Sequence, residues 1–305
     1  HHLSYHHNTL VEEADLILLV DVDVPWLKSK VRPADDARIF HIDVDAVKSG
    51  MGFWHYPAER VCQVDALQAL DQLLGEVGTH PEGREERGIW IAESKRSVKP
   101  KAPTTSDRGP ITPEELTVAV RELINDKTRV VFEAPTATGV VPAILKLPMP
   151  GSYFNSGGTG LGWGLNAAVG VKLASPESEV IALVGDGCYQ FAVPTSAYWV
   201  ASTYDAPFLT VIYNNGGWNA PKFSTLGVHP EGTALQNDTF FTTMTAGARL
   251  SDIAVASGEV DGFHVSKRKD LSNTLHKAME AVRLGRPAVV DVAIKPFSGQ
   301  ILKVQ

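Results

Sequence analysis

The chain has 305 residues, 44% of them hydrophobic and 21% charged, with a formal net charge of −7. That balance belongs to a globular chain with a sizeable core; it excludes a disordered or collagen-like chain and speaks against a nucleic-acid binder, which carries a basic excess. Its two cysteines, Cys62 and Cys188, are too few for a disulfide framework and point to a reducing, cytoplasmic compartment.

No apolar run reaches the roughly 18 residues that span a bilayer, and the longest, Leu16 to Val20, is broken at once by Asp21 and Asp23. The start is not a signal peptide, because it holds histidines and acids instead of a basic and then an apolar stretch. It lacks an initiator Met, which reads as a fragment, a processed product or an incomplete gene model. The cluster His1, His2, His6 and His7 has no Cys or carboxylate at ligand spacing, so it reads as a His-rich loop, not a metal site.

In chain order, Ala14–Val24 and Ala37–Val44 are strand-like runs of Val, Ile and Leu that end in acids. A helix is expected over Val64–Gly75, and Gly88–Ala92 is a third short apolar run. Residues 1–93 thus form a first α/β block. Ser94 to Pro113 holds four prolines around the bases Lys95, Arg96, Lys99 and Lys101 and reads as an extended linker, 94–111. Thr112-Pro113-Glu114-Glu115 is a helix start, with an N-cap, a proline in the first turn and acids behind it. From there strands are expected at Arg129–Phe132, Val180–Val184, Phe208–Tyr213 and Ala288–Ile294. Helices are expected at Leu161–Ala174, Pro194–Tyr204 and Leu271–Leu284. Alternation of this kind predicts parallel α/β layers, the second filling 112–305.

Two motifs at strand ends carry the chemistry. Val180–Val184 runs into Gly185-Asp186-Gly187, and Phe208–Tyr213 runs into Asn214-Asn215-Gly216-Gly217. With one helix between them the unit is a crossover, so Asp186 and Asn215 fall in one crevice beyond the carboxyl edge of the sheet. A carboxylate, an amide oxygen and a backbone carbonyl are hard ligands suited to Mg²⁺. Free N–H groups near Gly187 and Cys188 would favour an anion. A Mg²⁺-bridged diphosphate satisfies all of these groups, whereas either tripeptide alone would more often be a turn.

The pair Gly185-Asp186-Gly187 and Asn214-Asn215, about thirty residues apart, resembles the thiamine-diphosphate motif. The glycine-rich stretch Pro150 to Gly170 is similar to the segment that bends the cofactor in the same family. The likeness is to acetolactate-synthase-like enzymes and benzoylformate decarboxylase. It covers 112–305, as the thiamine-diphosphate-binding domain, and extends more weakly to the first block, as part of a central Rossmann-like α/β domain including the strand end Ile42-Asp43-Val44-Asp45.

The resemblance implies that the Asp186 and Asn215 side chains and the Gly217 carbonyl hold Mg²⁺. It places Thr136, Gly185, Gly187 and Cys188 around the diphosphate, the Thr159 carbonyl on the pyrimidine amino group, and Gly160 and Leu161 at the bend, with Leu161 as the apolar wedge. The activity implied is decarboxylation or carboligation of 2-oxo acids, with the cofactor as electron sink. Three residues depart from the family pattern. Asn166 replaces a proline, Pro135 replaces a hydroxyl residue, and Asp21 stands where nucleotide-binding relatives have glycine.

Family members also begin with a pyrimidine-binding domain carrying a glutamate, and nothing before residue 112 resembles it. The chain thus reads as half a site, inactive alone, completed in a homo-oligomer or by a partner chain. No catalytic acid or base is assigned, and His229 is the best local candidate. Two rivals remain. Gly162, Gly164 and Ala167 fit the loose dinucleotide fingerprint, but Tyr153 to Gly160 does not read as an apolar strand ahead of it. A non-catalytic, regulatory chain would have no need to keep Asp186 and Asn215.

Overall fold

The structure, a computed structural model, describes residues 7–28, 31–51, 56–78, 83–97, 109–147, 149–156, 160–244 and 247–295. Two compact units divide the chain, His1–Lys99 and Pro100–Gln305.

In the first unit a short helix, α1 (His7–Glu13), precedes three strands, β1 (Leu16–Val20), β2 (Arg38–Asp43) and β3 (Arg60–Gln63). They form one parallel sheet in the order β1-β2-β3. Leu19 buries with Trp26, Val31 and Tyr56. Helix α2 (Ala66–Val77) starts at Asp65, whose side chain accepts the Gln68 N–H and so satisfies one of the orphan donors of the first turn. At the end of β2, Asp43 accepts the Asp45 N–H at 2.8 Å and the Lys48 ammonium at 2.7 Å, and Lys48 also reaches Asp23 at 2.8 Å. Asp21 takes φ +48°, the left-handed conformation that favours glycine, so the departure at this position changes the residue but keeps the turn. The apolar run Gly88–Ala92 is not a strand: it lies inside helix α3 (Arg84–Ser97), which also takes the first four residues of the expected linker. Residues 98–108 of that linker, and His1, His2 and His6, lie outside the described residues.

The second unit begins with α4 (Pro113–Arg121), where Thr112 and Glu115 close a capping box: the Thr112 hydroxyl accepts the Glu115 N–H, and the Glu115 carboxylate accepts the Thr112 N–H. Then follow β4 (Thr128–Glu133), α5 (Val141–Leu145), β5 (Tyr153–Asn155), α6 (Trp163–Ala174), β6 (Glu179–Gly185), α7 (Asp186–Phe191), α8 (Pro194–Thr203), β7 (Leu209–Asn214), α9 (Asn219–Val228), α10 (Thr233–Gln236), α11 (Leu250–Val255), β8 (Asp261–Val265), α12 (Leu271–Arg283) and β9 (Ala288–Ala293). The six strands are all parallel, in the order β5-β4-β6-β7-β9-β8. Both faces are covered, as parallel sheets require. Val130, Phe132, Ile181 and Leu183 pack with Leu116 and Val120 of α4 and Leu275 and Met279 of α12. Their alternates Val131, Val180, Ala182 and Val184 pack with Leu165 and Val169 of α6 and Tyr198 of α8. Opposite faces for successive residues follow from the two-residue period of the strand.

The topology differs from expectation at two places that matter for the site. Tyr153–Asn155 is a strand after all, a three-residue edge pairing β4 from Val130 to Phe132. Two helices, not one, separate the motif-bearing strands, because Val193 takes φ +51° and breaks the chain between α7 and α8. The crossover still leaves β6 and β7 parallel and adjacent, Ile181 facing Leu209 through Gly185 facing Tyr213.

Candidate functional site

Strand order fixes where a ligand can enter. From β4 the chain moves outward to β5, then crosses back to β6 on the other side, so β4 and β6 are neighbours whose connections leave in opposite directions. In open parallel sheets the crevice beyond the carboxyl ends of such a pair is the binding site. Thr136 follows β4, Gly185-Asp186-Gly187 ends β6, and Asn215 to Gly217 follows β7 beside it.

The side chains meet there. Asp186 is 2% exposed. Its Oδ2 accepts the Gly216 and Gly217 N–H groups at 2.8 and 2.9 Å, and its Oδ1 accepts the Gly187 N–H at 2.8 Å. The last bond corrects one expectation, since the Gly187 N–H is already engaged and is not free for an anion. Burial pushes the Asp186 carboxyl up to about 6, against the pull of these three donors. A carboxylate held this way is met by backbone dipoles alone, the electrostatic state that a bound cation would relieve. Asn215, 5% exposed, donates through Nδ2 to the Thr136 hydroxyl at 3.2 Å. The Asn219 Nδ2 donates to Asn215 Oδ1 at 2.6 Å and to the Gly217 carbonyl at 3.3 Å. One amide nitrogen therefore bridges the two oxygens assigned, with Asp186, to a metal. The donor set, a carboxylate, an amide oxygen and a carbonyl, is the hard-oxygen chemistry of Mg²⁺, and the residues present fit that ion. Asn214 is held from behind by Asp291, fully buried in β9, at 2.9 Å.

The glycine-rich segment reaches the same end of the sheet. Leu161 is 39% exposed, so its side chain does not belong to the core. Gly160 beside it is exposed, and Thr159 lies outside the described residues. The first turn of α6 is capped by Glu133 at the end of β4: the Gly162 and Gly164 N–H groups donate to its two carboxylate oxygens at 2.7 and 2.6 Å. A dinucleotide diphosphate cannot use a helix start already occupied by a carboxylate, and the oxidoreductase reading falls on that contact. Gly162 has φ +92°, and a Cβ there would stand 2.5 Å from the Phe191 carbonyl oxygen, so the position is closed to other residues. Asn166 donates to the Gly162 and Ala192 carbonyls, tying α6 to the end of α7.

Gly185 and Gly187 are buried at the turn. Cys188 is 4% exposed within the apolar cluster, and burial pushes its thiol up to about 12. The side chain is therefore a protonated core group and offers no polar contact to a ligand. His229 is exposed and follows the last residue of α9, ten residues beyond Asn219, or about 15 Å along the helix. It does not join the corner. Glu133, Trp218 and Asn219 do, and the sequence reading passed over all three. For Asn219 a signal existed, its spacing of four from Asn215 across a helix start.

Residues 136–292 match the model of the thiamine pyrophosphate enzyme C-terminal TPP-binding domain. Over 224 residues the chain is 28% identical to a benzoylformate decarboxylase of Pseudomonas aeruginosa, covering 73% of this chain and 40% of that protein. Over 301 residues it is 27% identical to the acetolactate synthase isozyme 3 large subunit of Escherichia coli, covering 96% of this chain and 50% of that one. Among solved structures, a thiamine diphosphate-dependent 4-hydroxybenzoylformate decarboxylase of Rhodococcus jostii superposes with a TM-score of 0.72 at 23% identity, over 95% of this chain and 50% of that one. The chain thus spans about half the length of the relatives it matches. Among the described residues no helix is long and apolar enough to cross a membrane.

Proposed function

The chain belongs to the thiamine pyrophosphate enzymes through their C-terminal TPP-binding domain, and from that premise we propose that it is the thiamine diphosphate- and Mg²⁺-binding part of an acetolactate-synthase-like enzyme. That enzyme acts on 2-oxo acids by decarboxylation, carboligation or both. When bound, the cofactor supplies an electron sink for the carbanion left by loss of CO₂. The Asp186 and Asn215 side chains and the Gly217 carbonyl would hold the metal. Thr136, with Gly185 and the Cys188 backbone, would face the diphosphate, Gly187 would leave room beside it without offering its N–H, which Asp186 holds, and Leu161, flanked by Gly160, would support the thiamine in its bent form. The resemblance would put the carbonyl of Thr159, which lies outside the described residues, on the pyrimidine amine. One observation carries the reading: a buried Asp186 whose charge meets only N–H dipoles, beside two oxygens gathered on a single amide nitrogen.

A homo-oligomer or a partner chain completes the site by supplying the pyrimidine-binding domain. The chain alone binds but does not turn over. A benzoylformate-decarboxylase-like lyase is the second reading, favoured by the identity over 73% of the chain to such an enzyme. The two separate in one assay, CO₂ release from pyruvate and from benzoylformate with the pyrimidine-binding domain supplied. Acetolactate from pyruvate supports the first reading and benzaldehyde from benzoylformate the second. No turnover of either acid by a complex that binds the cofactor would overturn both, and would leave a regulatory chain.

A further inference from the structure

Trp218 directly follows the Gly217 carbonyl of the corner. Its backbone N–H donates to Thr242 O at 2.8 Å, and its ring meets Phe191 edge-on, with centroids 6.3 Å apart and planes at 90°. Backbone and ring each make a defined contact. The ring edge that bears the N–H lies on Gly187: a Cβ at that glycine would stand 2.4 Å from Nε1 and 2.3 Å from Cδ1. Glycine is needed between Asp186 and Cys188 because the indole takes the space of a side chain. Yet Trp218 Nε1 is buried and has no hydrogen-bond partner among the described residues. A buried donor left unmade costs about 1–3 kcal/mol, so an orphan of this kind at a ligand site calls for a partner from outside the protein.

An indole N–H only donates, so that partner must be an acceptor; neither a cation nor the apolar face of a ring will serve. Beside a Mg²⁺ corner the acceptor is an anionic oxygen. We infer that Trp218 is a further cofactor-holding residue, its indole N–H donating to a diphosphate oxygen that lies against Gly187. This rests on the reading of the corner as a Mg²⁺–diphosphate site. The donor is neutral and its ring packs on Gly187, so it adds direction to the attraction that the metal supplies. It also replaces the Gly187 N–H, which Asp186 has already engaged.

The test reads the N–H itself. The chain has six tryptophans, and the indole resonance lost in Trp218→Phe identifies Trp218 in a ¹H–¹⁵N spectrum; Trp218→Tyr serves if the Phe variant does not fold. Adding Mg²⁺ with inorganic pyrophosphate, or Mg²⁺ with thiamine diphosphate, moves this resonance downfield. Mg²⁺ alone, or Mg²⁺ with thiamine, does not. By calorimetry the Phe variant binds Mg²⁺–thiamine diphosphate about tenfold or more weakly, as expected for loss of a hydrogen bond to a charged group, while its melting temperature without ligand is unchanged. A resonance that stays in place while the wild type binds thiamine diphosphate in a Mg²⁺-dependent way overturns the role of Trp218 and leaves the corner standing. A wild type that binds neither diphosphate overturns both.

Discussion

At the scale of single residues the site separates side chains that serve the fold from side chains that wait for a ligand. Leu161 is large, apolar and 39% exposed, so little packing is lost on its removal. Leu161→Ala should change the melting temperature of the free chain by less than about 3 °C, since exposed substitutions away from special features stay within about 0.5 kcal/mol. The same variant should weaken thiamine diphosphate binding. Equal loss of stability with and without cofactor would return Leu161 to the core. That Asp186, Asn215 and Gly217 come together was legible in the sequence, because strands ending in Gly-Asp-Gly and Asn-Asn-Gly on either side of one crossover open on the same crevice. Trp218 was not legible: nothing in its neighbours along the chain says that its ring will lie on Gly187, because that contact joins the start of α7 to the residue before α9, thirty-one positions away. The engaged Gly187 N–H was hidden for a similar reason, since it depends on the rotamer of Asp186.

Elements set these residues in place, and two carboxylates do much of the joining. Glu133 ends β4 and caps α6, so the tip of one strand holds the glycine turn that carries Leu161. Burial raises the carboxyl of Glu133 against the pull of its N–H donors. Glu133→Ala leaves two buried N–H groups without acceptors and should destabilise the chain by about 2–4 kcal/mol, read as the urea midpoint; a loss under 1 kcal/mol would show that water replaces the cap. Glu115 acts at α4. Burial works against its charge, but Arg268 at 2.9 and 3.0 Å and the Thr112 N–H hold its carboxyl below the ordinary value of 4.5. A depressed carboxyl contributes stability that is fully present above its unfolded pKa and is lost as pH falls through the folded one. Wild type should therefore exceed Glu115→Gln by about 1–3 kcal/mol at pH 7, with the gap closing below pH 4.5. A gap independent of pH would contradict the ion pair. The capping box and the strands β1, β2, β4, β6, β7 and β9 were readable from caps and apolar runs. The edge strands β3, β5 and β8 were not: β3 is exposed at all four positions, β5 has three residues, and β8, Asp261–Val265, alternates exposed and half-buried positions with one buried residue at its end. Gly88–Ala92 misled because a short apolar run fits a helix as well as a strand, and the charged residues around it decided for the helix.

For the whole molecule, the parallel order β5-β4-β6-β7-β9-β8 matters more than any single motif, because the reversal between β4 and β6 opens the crevice that Thr136, Asp186 and Asn215 then share. The chain covers 40% and 50% of the two relatives it matches over most of its length. Binding is therefore expected of the chain itself, and turnover only with the pyrimidine-binding domain present. Calorimetric titration of thiamine diphosphate into the folded chain, with Mg²⁺ and with the metal removed by chelation, tests this most directly. Wild type should bind only with Mg²⁺, and Asp186→Ala, folded, should bind in neither case. Binding that survives both chelation and the loss of Asp186 would contradict the metal corner and, with it, the proposed place of the diphosphate.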